Sequence, residues 1–151
     1  MPRLAAVVAP LTTVLVVVLG VLLADTPDGG PRAVEVLHSW DARRADAWAR
    51  GDVAALRDLY AAGSVAGRRD AGLLASYAER GLVVRGMRMQ LLAARVLADA
   101  PGLVRLRVTD RLVGAVAVGE SSTPLPTDRA STRTLTLRLD GGRWRMASVL
   151  D

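Results

Sequence analysis

The chain has a single histidine, His38, and no cysteine. Together these narrow the chemistry open to it. Disulfides, thiol nucleophiles and cysteine-ligated metals are ruled out. A metal site built on two or three histidines has no basis either, so no metal is expected. What remains is acid–base or binding chemistry at His38, Asp110 and Tyr77. His38 stands beside Leu37 at the edge of an apolar helical face. Its imidazole could serve as a general base near neutral pH, or simply lie at a boundary. Asp110 shares its strand face with Val104, Leu106 and Val108. An inward carboxylate there could donate or accept a proton, or pair with an arginine such as Arg85 or Arg95. Tyr77 sits on a helix face with Leu73 and Leu74, as Tyr60 does with Leu56 and Leu59, and packing in the core is the other role open to both. No glycine-rich phosphate loop or nucleophile elbow is present, and no cofactor is implied.

The elements that must position these residues can be read from hydrophobic period. Val34, Leu37, Trp40, Ala47 and Trp48 recur at helical spacing from about Pro31, and Gly51 ends that helix. Asp52 caps a second helix over Val53–Ala62, stopped by Gly63. Ser64–Arg69 reads as a connector. A third helix follows, with Asp70 as its cap and Gly81 as its stop. Beyond Gly81 the period changes. Leu82–Ala98 fits both a helix and a strand by spacing, and the Pro101–Gly102 turn into the next strand favours a long strand. Leu103–Leu112 alternates cleanly, as does Arg133–Leu139 with Leu135, Leu137 and Leu139 inward. Asp140-Gly141-Gly142 is a hairpin turn into Arg143–Leu150. Gly119–Arg129, with two prolines and a run of hydroxyl residues, reads as a surface loop. Trp40, Trp48 and Trp144 read as core anchors, and Arg105, Arg107, Arg138, Arg143 and Arg145 as a solvated outer sheet face.

Leu4–Ala24 contains no charged side chain. Twenty-one residues can cross a hydrocarbon core about 30 Å thick. A cleaved signal peptide is the alternative, but its apolar core runs to about 7–15 residues and it needs small residues before the cut. Leu22 before Ala24, and Val18 before Gly20, are bulky where small residues are wanted. The run is therefore expected to be an uncleaved signal anchor over residues 1–25, followed by a linker over 26–31 and a domain over 32–151. Arg3 before the run, with Asp25 and Asp28 after it, places that domain outside the cytoplasm. Arg3 against Asp25 and Asp28 leaves residues 1–31 at −1, so of the chain's +5 the domain carries +6. All the basic residues are arginine, spread along the chain, and only five aromatics accompany them. Nucleic acid is an unsupported partner. An envelope or membrane protein, or an anionic surface, fits better.

Two details go beyond element order. A tryptophan-bearing first helix ends in Ala49-Arg50-Gly51-Asp52 and leads into Leu56, Leu59 and Tyr60. The last strand opens Gly141-Gly142-Arg143-Trp144-Arg145. Over about Arg32–Asp151 the chain resembles the nuclear transport factor 2-like superfamily, SnoaL-like domains included, and especially its uncharacterised membrane-anchored actinobacterial members. The resemblance implies an α+β fold: three helices packed on a curved antiparallel sheet of about four strands, forming a cone with a pocket at its wide end. It implies either a non-catalytic binding or interaction domain, or a pocket enzyme of the isomerase or dehydratase type or a small-molecule carrier. The hairpin that enzymatic members often insert between the second and third helices is absent. Fold alone does not transfer activity, and the expectation is a membrane-anchored binding domain without catalysis.

Overall fold

The computed structural model describes residues 30–151. The Leu4–Ala24 run lies outside them, and among the described residues no helix is long and apolar enough to cross a membrane.

Three helices precede the sheet. α1 spans Pro31–Arg50 and ends where Gly51 turns left-handed (φ 68°), its N–H returning to the Ala47 and Trp48 carbonyls. A left-handed residue satisfies the last carbonyls of a helix, and glycine adopts it without steric cost. α2 is only Val53–Asp58, with the Asp52 carboxylate accepting from the Ala55 N–H at 2.9 Å. It is shorter than its apolar period suggests because the chain then leaves the helix to join the sheet. Tyr60 bridges Met146, with Met146 N–H donating to the Leu59 carbonyl at 2.8 Å and Ala61 N–H to the Met146 carbonyl at 3.0 Å. α3 spans Val65–Ala78. Its cap is Ser64, whose Oγ accepts from the Gly67 N–H at 3.2 Å, and not Asp70, so the expected connector Ser64–Arg69 forms the cap and first turn of α3.

The sheet comprises β1 (Val83–Ala100), β2 (Leu103–Val118), β3 (Ser122–Pro124), β4 (Ser131–Asp140) and β5 (Arg143–Leu150). Its order is β1-β2-β4-β5, antiparallel throughout, and the three-residue β3 pairs with β2 inside what reads in sequence as a loop. β1 is the long strand expected from Leu82. Its pairing with β2 shifts register between Arg85 and Arg88, Arg88 and Met89, Leu91 and Ala93, and Val96 and Ala98. Such bulges bend a strand and increase its twist, and here they curl the β1–β2 ribbon around the helices.

Alternation places Val104, Leu106, Val108, Leu135, Leu137 and Met146 under the helices, where they meet Leu37, Trp40, Trp48, Leu56 and Leu74. Trp40 satisfies its buried Nε1–H on the Leu59 carbonyl at 2.8 Å. Trp144 is half-buried against this core rather than within it. On the outer face Arg105, Arg107, Arg138 and Arg143 are exposed, as alternation requires.

Two glycines of α3 test how tightly this layer is packed. A Cβ on Gly67 would lie 2.6 Å from Tyr60 Cβ and Cγ, whereas one on Gly72 meets nothing within 4 Å. Gly72→Ala should therefore stabilise the domain by about 0.5–1 kcal/mol through helix propensity. Gly67→Ala should destabilise it despite the same propensity gain. Urea denaturation of the two variants checks both signs.

Candidate functional site

α1 carries an unbroken stripe of Leu37, Asp41, Arg44 and Trp48 at helical spacing, and the stripe faces the sheet. Asp70 and Tyr77 face the same space from α3, Tyr60 from the α2–α3 link, Met87 and Met89 from β1, Asp110 from β2, and Arg133 and Leu135 from β4. Together they enclose an open cavity of about 560 Å³. Its mouth is rimmed by Val65, Arg69 and Leu73 of α3, Asp128 and Arg129 of the loop before β4, Ser131, and Asp151.

One wall is an ionic cluster around Asp70, a residue only 8% exposed. The Arg44 guanidinium donates to both its oxygens, through Nε and Nη2 at 2.6 Å each. Tyr60 donates its hydroxyl at 2.7 Å and Trp48 its Nε1–H at 3.3 Å. Burial opposes the charge on Arg44, but the Asp70 hydrogen bonds and charge outweigh it and raise the guanidinium above its ordinary value. Tyr60 is also pushed up, chiefly by burial, so it stays a neutral donor. Arg44 also reaches Met87 Sδ at 3.3 Å, which ties the cluster to β1.

Asp41 contrasts with Asp70. Among the described residues no hydrogen bond or ion pair to its side chain is formed. Burial pushes its carboxyl up to about 6 against the pull of Arg44; Asp110 adds to the rise, and His38 and Arg133 oppose it. Asp110, 6% exposed, accepts from Arg133 Nη2 at 2.5 Å. Its partner is therefore neither Arg85 nor Arg95 of β1 but Arg133, which stands opposite Val108 on the inward face of β4. The Arg133 Nε–H is buried without an acceptor.

Of the three residues singled out in the sequence, Asp110 and Tyr77 line the same cavity. Tyr77 packs edge-on against Trp48 with ring centroids 5.7 Å apart. His38 does not line it. It is exposed on α1, bordering a smaller cleft of about 280 Å³ with Arg88 and Met89, and Asp41 is common to both spaces. Asp41 and Asp70 are the functional candidates that sequence reasoning missed. The signal for Asp41 was its place between Leu37 and Trp48, a carboxylate on an otherwise buried stripe. Among the described residues no group of acidic and histidine side chains is arranged to hold a metal ion. The arrangement offers a proton carrier poised near neutrality, a carboxylate–guanidinium pair and an unfilled donor, all against apolar walls.

The fold is nuclear transport factor 2-like: three helices against a curved antiparallel sheet. The chain is similar to Aln2 from a Streptomyces species (14% identity over 81% of this chain and 90% of that chain, TM-score 0.55). It is similar also to the intermembrane space region of the chloroplast protein ARC6 (20% identity, 82% and 98%, TM-score 0.50). A protein from the NTF2-like family of Streptomyces avermitilis aligns at 15% identity over 78% and 93%, with a TM-score of 0.46. No family model and no curated protein matches the sequence. At these identities the likeness is one of fold.

Two outcomes follow from the carboxylates. The Asp41 carboxyl ionises near the ordinary value of 3.8 when unfolded and near 6 when folded. A raised pKa adds stability below the unfolded value and loses it as pH rises through the folded one. Asp41→Asn should thus flatten the fall in stability between about pH 4 and pH 6.5 and raise stability at pH 7.5 by up to roughly 3 kcal/mol, as measured by denaturant unfolding across that range. Asp70→Ala strands the Arg44 charge and should cost about 3–5 kcal/mol. The double variant Asp70→Leu, Arg44→Met should recover much of that loss, a difference that a double-mutant comparison by urea unfolding reads directly.

Proposed function

We propose that the domain binds a small, partly apolar molecule bearing a carbonyl or anionic group, as a carrier or pocket enzyme of the SnoaL-like kind. The observation that carries this is the open cavity in which Asp41 stands unpaired opposite the Asp110–Arg133 pair. Pockets of a few hundred Å³ with apolar walls and a few convergent polar groups are what small ligands use. The Arg133 Nε–H is a donor for the ligand's oxygen. Asp41 is the residue to take or return a proton next to it, since a carboxyl near 6 exchanges protons readily at neutral pH. Under the same reading Leu4–Ala24 anchors the chain in the cell membrane, with this domain outside the cytoplasm.

A purely non-catalytic interaction domain is the second reading. It is favoured by Val65 and Leu73, 54% and 53% exposed at the cavity rim, where another envelope protein could seat.

The test uses the full chain in detergent, screened by thermal shift against aliphatic and aromatic ketones, enones and carboxylates. Stabilisation of the wild type that is lost when the cavity is filled by Leu112→Trp, at a β2 side chain lining it, supports the pocket. Turnover that disappears in Asp41→Asn while binding persists assigns catalysis, and binding without turnover assigns a carrier. Absence of any stabilising compound, together with cross-linking of a partner at Val65 or Leu73, overturns the pocket reading in favour of the interaction domain.

A further inference from the structure

The chain enters the domain at the end opposite the cavity mouth. Arg32, in the first turn of α1, pairs with Asp99 just before the β1–β2 turn. Its guanidinium also lies 5.7 Å from the Trp144 ring just after the β4–β5 hairpin. The two turns are neighbours: Leu139 N–H donates to the Gly102 carbonyl at 3.0 Å, and Leu103 pairs with Arg138. β4 runs its ten residues from Ser131 at the mouth to Asp140 at this turn end. At the rise of a strand, that separates the two ends by about 30 Å.

The turn end has a composition of its own. Arg138 and Arg143 are exposed and meet no carboxylate among the described residues, while Arg32 and Arg145 are engaged by Asp99 and Asp140. Burial lowers the pKa of Arg43, and the nearby Arg143 lowers it further, so like charges crowd here. The acids nearby are Glu35, Asp99 and Asp140 of the domain, with Asp25 and Asp28 in the sequence just before α1. Leu97 and Leu139, each 45% exposed, lie near the same end, and Leu139, on the inward alternation of Leu135 and Leu137, leaves the core there and emerges on the face opposite Arg138 and Arg143. Guanidinium groups bind phosphate oxygens through paired N–H donors, and exposed leucines at the same end suit the boundary between headgroup and acyl chain.

The length of chain before α1 selects the occupant. Between the apolar run and α1 lie the six residues Asp25–Gly30, which reach at most about 20 Å when fully extended. With Leu4–Ala24 in a bilayer, a reading on which this inference rests, a tether of that length holds the turn end near the headgroups. It is too short to let the domain invert and face its mouth, about 30 Å further on, toward the same surface.

We propose that the turn end, through Arg138, Arg143, Leu97 and Leu139, rests on an anionic phospholipid surface and directs the cavity mouth away from it.

The absence of native cysteine makes the test direct. The full chain is reconstituted in vesicles of phosphatidylcholine with 30% phosphatidylglycerol, or of phosphatidylcholine alone, with a single fluorophore at Pro101→Cys (turn end) or Thr127→Cys (beside the mouth). Energy transfer to headgroup-labelled lipid should be strong from position 101 and weak from position 127. The contrast should shrink in pure phosphatidylcholine, in 0.5 M salt, and in the double variant Arg138→Gln, Arg143→Gln. Losing each arginine should weaken the surface contact roughly fivefold. Equal transfer from both positions overturns the proposal, as does a contrast indifferent to phosphatidylglycerol and to the double variant, since the tether alone would then set the geometry. Alkaline carbonate extraction reads the anchor separately. Release with the contrast retained on anionic vesicles overturns the anchor and leaves the surface, whereas release with no contrast overturns both.

Discussion

The carboxylate of Asp70 is where the helical layer is tied together. It takes four hydrogen bonds from three side chains, and these come from α1 and from the link between α2 and α3. A carboxylate this buried is costly to desolvate, and only near-complete satisfaction offsets the cost. The geometry of each donor is therefore constrained at once. Arg44 cannot turn away, Tyr60 cannot rotate out, and Trp48 keeps its edge toward α3. Each of these side chains is also a piece of cavity wall, so the cluster holds the space open as well as holding the helices together. Apolar residues of similar volume could join the same helices, but they would have every reason to collapse into the space.

Two aspartates in one cavity thus meet opposite environments. Asp70 is surrounded by donors that hold it in a permanent arrangement. Asp41, within the same wall, is partly buried without being paired, and burial pushes its carboxyl up to about 6. Separating two like groups by environment, so that one is structural and the other free to exchange a proton, is how a site assigns different work to identical chemistry. Asp110 lies between these extremes. It is buried, but answered by the single contact from Arg133.

Much of the fold could be read from the chain because strands with one buried face write their period plainly. Val104, Leu106 and Val108, and Leu135 with Leu137, needed no tertiary information, and neither did the glycine-rich hairpin or the Gly51–Asp52 junction. The differences fall where a non-local contact decides between two locally sound alternatives. Ser64 and Asp70 both cap helices well, and what decides between them is that Asp70 is claimed by Arg44, a residue far away in sequence. α2 ends early because Tyr60 is recruited by β5, which is again non-local. The site was harder for a related reason. The apolar period of α1 passes over Asp41, although its spacing from Leu37 and Trp48 puts it on the same inward face. Arg133 likewise shares the inward alternation of Leu135 and Leu137, and following that alternation one step back would have named the partner of Asp110. The equation of polar with exposed, sound on average, fails at the positions where a cavity is being furnished.

The register shifts along β1 have an effect beyond curling the ribbon. β1 is an outer strand of the sheet, eighteen residues long, and a straight free edge of that length is a template on which another chain can add itself. Interrupted four times, it offers no continuous row of backbone donors and acceptors in one plane. Arg85, Arg88 and Arg95, all exposed, add a repulsive charge along the same margin. The irregularities that give the sheet its curvature therefore also guard the domain against sheet-to-sheet aggregation with its own copies.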